Sequence, residues 1–190
     1  MAQQRLVGAD DYGGSLKRVP TLVLDPPPIE VANLIERRRE LGQDLLDEVW
    51  EGVLHMNPAP HSRHANVQQQ LAVLLDPLAR MAGLLPRVGI FNLGGSDDYR
   101  VPDGGVLRPG PDAVYLPTAA LVIEIVSPND KTWEKLPFYA THGVEELLIV
   151  DPQERTVSWL GLEAGKYEPI QVSDLIALGP ADLRQRIDWP

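Results

Sequence analysis

The chain has 190 residues, no cysteine, and 27 acidic against 17 basic side chains, for a formal net charge of -10. That length suits one domain with a real core, and the missing thiols exclude disulfides, thiolate metal sites and a cysteine nucleophile. No stretch approaches a membrane span, "MAQQRLVGADDYGG" lacks a basic region followed by an apolar one, and the acidic balance lacks the basic footprint that phosphate binding usually leaves, so a soluble, cytoplasmic protein without membrane association is expected.

Residues 1–28, with Gly13-Gly14 and with Asp25 before three prolines, read as an irregular or extended arm, and residues 29–190 as a single domain. Leu34, Ile35, Leu41, Leu45 and Leu46 predict a helix from Ile29 to about Asp47, with "ERRRE" on its solvated face. "EVWEGVLHMN" alternates as a strand with Gly52 at a turn or bulge. A long helix follows, with Ser62 as a candidate N-cap, Val67, Leu71, Leu74, Leu75 and Leu78 on its apolar face, and Pro77 expected to kink it or end its regular part. After Gly83 come short strands in "RVGIFNL", "YRVPDGGVL" and "LVIEIV", separated by glycine and proline turns. A short helix is predicted within Lys135 to His142, stopped by Gly143; strands follow in "ELLIVD", "TVSWLGL" and "KYEPIQV", with Trp159 in the core, and then a short docked helix and tail. This order predicts an α/β or α+β domain, a mixed β-sheet flanked by helices.

Glu124 stands inside the continuous apolar run of "LVIEIV", where an ionised carboxylate costs several kcal/mol (roughly) unless something positive meets it. Asp103 follows Pro102 at a break in an apolar segment, and Lys135 opens the short helix downstream. Two carboxylates with a lysine suit a divalent cation, its water and phosphodiester hydrolysis. Each residue also has a structural reading: Asp103 closing a Pro-Asp-Gly turn, Glu124 in an ion pair with Lys135 or Arg108, Lys135 solvated. His55, His61 and His142 show no zinc-ligand spacing, and Ser127 has no recognisable base partner and reads as loop.

"VWEGVLHMNPAPHSRH", "YRVPD", "LVIEIVSPND" and "EKLPFYATHGVEELLIVDP", in that order, resemble the Uma2 (DUF820) family of endonucleases within the PD-(D/E)XK, restriction-endonuclease-like superfamily. The resemblance covers roughly residues 45–160 and is most specific from Val101 to Pro152. It implies a restriction-endonuclease-like sheet and a DNA-cleaving site using Mg2+ or Mn2+. Asp103 matches the aspartate of PD and Glu124 the acidic residue of (D/E)XK, with the main-chain carbonyl of Ile125 as a further metal ligand. Val126 stands where the general motif has lysine; Lys135 matches the lysine that Uma2-like sequences place on the following helix, with Lys131 as runner-up. Pro137 implies that this helix begins close to Lys135. Glu51 and His64 match an acid and a histidine of the family, as possible additional site residues. For His64 a substrate or water contact and a purely structural hydrogen bond are both open readings.

A DNA endonuclease is therefore expected, and a homodimer with it, since two symmetric sites are the simplest way to cut both strands. The competing expectation is a catalytically silent fold of the same kind that acts as a binding or assembly module. The acidic balance and Val126 favour that alternative.

Overall fold

This computed structural model describes residues 21–23, 27–128 and 131–190. Within the segment read as an arm, Thr21–Val23 is a strand, β1; residues 1–20 and 24–26 lie outside the described residues. Helix α1 spans Ile29–Glu40 and buries none of its residues. It ends well short of Asp47 because the chain turns at Gly42, which takes a φ of 63°. That turn brings the Asp47 carboxylate to Arg38, which donates to it at 2.8 Å. "EVWEGVLHMN" is a hairpin rather than one strand: β2 (Glu48–Trp50) and β3 (Val53–Met56) are joined by Glu51 and Gly52, both with positive φ, as a two-residue hairpin turn requires.

The long helix, α2, spans Ser62–Met81. Its N-cap is His61, not Ser62: His61 Nδ1 accepts from the Arg63 N–H at 3.2 Å. Pro77 does not end the helix. Pro77 and Val73 both face solvent, so the Val73 carbonyl that loses its helical donor remains open to water. Then come β4 (Leu85–Val88), β5 (Asn92–Gly95), β6 (Asp98–Arg100), β7 (Gly104–Leu107), β8 (Tyr115–Leu116) and β9 (Leu121–Ile125). A 3-10 turn at Thr132–Lys135 runs directly into α3 (Leu136–Thr141), followed by β10 (Glu146–Asp151), β11 (Thr156–Glu163), β12 (Lys166–Pro169) and α4 (Pro180–Arg186).

Among the described residues, the strands form two six-stranded mixed sheets where one was expected, in the orders β1-β3-β2-β6-β5-β8 and β12-β11-β10-β9-β7-β4. Pro102 has no N–H to extend a ladder, and the strands on either side of it, β6 and β7, fall in different sheets. In the second sheet β9 lies between β7, antiparallel to it, and β10, parallel to it. Parallel neighbours need a crossover, and the segment carrying α3 supplies it.

Strand β9 is buried on both faces, and its side chains alternate between two cores. Leu121, Ile123 and Ile125 pack with Val67, Leu71 and Leu75 of α2 and with Trp159 and Leu183. Val122 packs on the opposite side with Leu93, Tyr139, Leu147 and Ile149. Glu124 shares the Val122 parity, so its side chain leaves the α2 core and points toward α3.

Candidate active site

Asp103 precedes β7, and the register that pairs Gly104 with Ile123 sets it beside Glu124 on the neighbouring strand. The Asp103 N–H donates to the Ile123 carbonyl at 3.1 Å, and the Ile125 N–H donates to Asp103 Oδ2 at 2.7 Å. Helix α2 holds the same residue from another direction. Gln68 Nε2 donates to the Asp103 carbonyl at 2.6 Å, and His64 Nε2, one turn earlier, lies 2.9 Å from Asp103 Oδ1. The aspartate is thus oriented by two elements and remains partly open to the cavity it lines.

Glu124 is 4% exposed and meets the crossover helix. Lys135 Nζ donates to its two oxygens at 3.1 and 3.3 Å, and the Tyr139 hydroxyl donates to Oε1. Lys135 and Tyr139 are four residues apart, the spacing that brings helical side chains together. Arg108, the other partner open to Glu124, pairs instead with Glu145 on the surface. Lys135 also reaches Glu48 Oε1 at 3.0 Å; this carboxylate, 2% exposed on β2, accepts from the Trp50 indole and the Val101 N–H, both at 2.8 Å.

Three carboxylates therefore face one ammonium. Burial pushes the Glu124 carboxyl up, to about 7; Lys135 draws it down, while Asp103 and Glu48 add to the rise. Burial opposes the charge on Lys135, but Glu124, Glu48 and Asp103 outweigh it and hold the ammonium above the usual lysine value. Burial and the adjacent Glu124 keep the Tyr139 phenol protonated. Lys135 is accordingly a fixed cation suited to stabilising charge, not a proton acceptor.

These groups line a cavity of about 270 Å3. Asp103, Glu124, Ile125, Lys135, His64 and Lys131 all border it. Lys131 stands further out, 3.6 Å from Glu134 and 5.6 Å from the Trp50 ring centroid. Glu51 is not among the lining residues: it is exposed at the hairpin turn, where its N–H donates to Asp98 at 3.2 Å, and Glu48 occupies the cavity instead. Ser127, read from sequence as loop without a base partner, has its hydroxyl 3.2 Å from His64 Nδ1.

Glu48, Gln68 and Tyr139 escaped the sequence reading. Glu48 opens β2 directly after a second acid, Asp47, so no surrounding apolar run marks it as a buried carboxylate. Tyr139 follows Lys135 by four residues in "EKLPFY", a helical spacing that brings the two side chains together.

The donor chemistry fits a hard divalent cation. Carboxylate oxygens and a main-chain carbonyl are its preferred ligands, and the buried Glu48 and Glu124 with the partly exposed Asp103, against one lysine, leave an excess of negative charge for it to neutralise. Among the described residues, no group of three or more histidine, aspartate or glutamate side chains is already drawn together as a ligand cage. Ligands beyond Asp103 and Glu124 would come from the main chain and water.

The sequence profile of a family described as "Uma2: Putative restriction endonuclease" matches residues 37–185. Among solved structures, the chain is similar to one titled as "a putative nuclease belonging to DUF820" from Anabaena variabilis ATCC 29413. The identity is 20%, the TM-score 0.61, and the match covers 74% of this chain and 90% of that one. At that identity the likeness speaks for the fold, a mixed α+β nuclease-like architecture. No curated protein matches the chain.

Proposed function

The chain belongs to the Uma2 family of restriction-endonuclease-like proteins, and on that premise we propose that it is a metal-dependent nuclease that hydrolyses DNA phosphodiesters at the cavity of Asp103, Glu124 and Lys135. The observation that carries this reading is the placement of Glu124: buried in a strand, beside a second carboxylate, and matched by a lysine delivered from the next helix. Asp103 and Glu124, with the Ile125 carbonyl, would hold Mg2+ or Mn2+, which when bound supplies Lewis-acid polarisation of the phosphoryl oxygen and a more acidic water. Asp103 is held in place by the Ile125 N–H and by Gln68, so its free lone pairs keep a fixed direction. Lys135 carries its charge beside Glu124 and stabilises the negative charge that builds on the phosphorus-bound oxygens. Lys131, nearer the solvent, meets the incoming strand.

A second reading, the catalytically silent module, draws on one specific feature: Lys135 already satisfies Glu48 and Glu124 together, as a structural network would. Titrating Mn2+ calorimetrically into wild type and Asp103→Ala, with plasmid nicking on the same samples, separates the two. The nuclease reading expects ion binding and nicking in wild type and the loss of both in the folded variant. Nicking that survives in Asp103→Ala and in Glu124→Ala would sink it, and a wild type that binds no ion favours the silent module.

A further inference from the structure

Lys135 reaches the cavity from outside the sheet. It closes the 3-10 turn ahead of α3, so no strand backbone fixes it, and a flexible stem carries its Nζ to Glu124. In the proposed reaction Glu124 has a second claim on it. A divalent cation drawn to Glu124 competes for the two oxygens that Lys135 meets at 3.1 and 3.3 Å, and its charge repels the ammonium. A lysine tied to Glu124 alone would lose its place as the cation arrives, when its own charge is needed.

Glu48 supplies a second hold. Both of its oxygens already accept from rigid donors: Oε2 from the Trp50 indole and Oε1 from the Val101 N–H, each at 2.8 Å. Oε1 also meets Lys135 Nζ, at 3.0 Å. Glu124 differs, since its side chain is met by Lys135 and the Tyr139 hydroxyl, both on the crossover. A carboxylate occupied as Glu48 is makes a poor cation ligand and a good fixed point. Its surroundings are tied to the crossover as well. The Trp50 ring stacks with His55 at 4.7 Å between centroids and meets the Arg100 guanidinium at 4.4 Å; that guanidinium lies 3.9 Å from the Phe138 ring on α3. The stack therefore joins β2 and β6 to the helix that follows Lys135, and sets the span between Glu48 and the lysine from both ends.

We infer that Glu48 is the positioning residue of this site: it holds the Lys135 ammonium in the cavity while Glu124 turns to the cation, and it is not itself a cation ligand. The inference rests on the nuclease reading for the presence of the cation, and it is tested first without cleavage. Proton–nitrogen correlation spectra of the isotope-labelled full chain would follow the lysine ammonium groups in EDTA and then in Mg2+. The Lys135 signal is the one missing from Lys135→Met. Calorimetric Mg2+ binding and the kinetics of plasmid nicking would be measured on the same samples, for wild type and Glu48→Gln.

In wild type the Lys135 signal should shift on adding Mg2+ and persist; in Glu48→Gln it should be lost to exchange with water once Mg2+ is present. Glu48→Gln should keep its Mg2+ affinity within about tenfold, as an outer-shell change does. Its kcat should fall about 100-fold with KM unchanged, the cost of a reacting group displaced by about 1 Å, and a merely structural pair would not move kcat in this way. If Glu48→Gln does not fold, Trp50→Phe takes one hydrogen bond from Glu48, keeps a ring beside Arg100, and should show the same losses in smaller measure. A Lys135 signal that survives Mg2+ in the variant, one that vanishes with Mg2+ in wild type, or an unchanged kcat overturns the inference. So does a variant that binds no Mg2+, since Glu48 would then be a ligand. If wild type itself binds no ion, the nuclease reading falls and takes the inference with it; if the ion binds and Lys135 does not respond to the loss of Glu48, only the inference falls.

Discussion

Glu124 and Glu146 are both 4% exposed on adjacent strands, yet their surroundings set them apart. Glu146 is closed off by fixed donors: the Trp159 indole at 2.8 Å, the Ser173 hydroxyl at 2.6 Å and the Asp174 N–H at 2.9 Å. Glu146→Ala should destabilise the fold by roughly 3–5 kcal/mol in urea unfolding by stranding those donors, and leave Mn2+ affinity unchanged. Glu124 instead has a lysine, a tyrosine and an open cavity. Its native carboxyl titrates near 7 against an ordinary 4.5 because burial, Asp103 and Glu48 outweigh Lys135. Protonation therefore favours the folded state: this contribution is complete below 4.5 and is lost as the pH rises through 7. Glu124→Gln removes that titration, so its melting temperature in EDTA should gain on wild type between pH 5 and pH 8. A difference that stays flat across that range would mean that Glu124 titrates normally. Sequence exposed the misfit of Glu124, but Glu48 and Glu146, each beside a second acid at the start of a strand, are buried as well, so burial alone does not separate a reactive acid from a structural one.

Strand β9, the 3-10 turn, α3 and β10 form the unit that builds the site. The parallel pairing of β9 with β10 requires the crossover, and the crossover carries Lys135 and Tyr139 over Glu124. Much of this was legible: the apolar strands, the helix start marked by Pro137 and its stop at Gly143 all appear in local sequence. Strand β7 makes the other half, and its glycines are required by close approach. A Cβ on Gly105 would stand 2.6 Å from the Leu121 carbonyl oxygen and 3.1 Å from the Phe91 ring. Gly105→Ala should therefore cost roughly 1–3 kcal/mol in urea unfolding, as overpacking does, and should loosen the β7 to β9 register that aligns Asp103 with Glu124. A variant as stable as wild type would show that Phe91 and β9 yield without cost. Helix α1 was read too long because its leucines suggested a buried face, whereas the folded helix buries none of its residues and Gly42 turns the chain.

At the scale of the molecule, the net charge of -10 opposes the approach of a polyanion to the cavity. Among the described residues, two lysines and no arginine line the cavity. If those two meet two phosphates of bound duplex DNA, the logarithm of the binding constant should fall against log salt with a slope of about -1.8, at roughly -0.9 per contact. Titrations between about 50 and 200 mM salt would check this. A slope steeper than about -4 would point to a basic surface elsewhere on the molecule.

The sequence by itself determined the elements and the chemical types: strand periodicity, turn glycines, an acid in an apolar run and the ordered motifs from Val101 to Pro152 are local properties that survive in one dimension. Only the tertiary structure decided that Glu48 and not Glu51 faces Lys135, that His64 bridges Asp103 and Ser127, and that Pro102 divides the strands between two sheets. Those outcomes depend on which face of a strand each side chain takes and on which distant strand lies beside it. A one-residue change of register reverses the first, and only the packed core fixes the second.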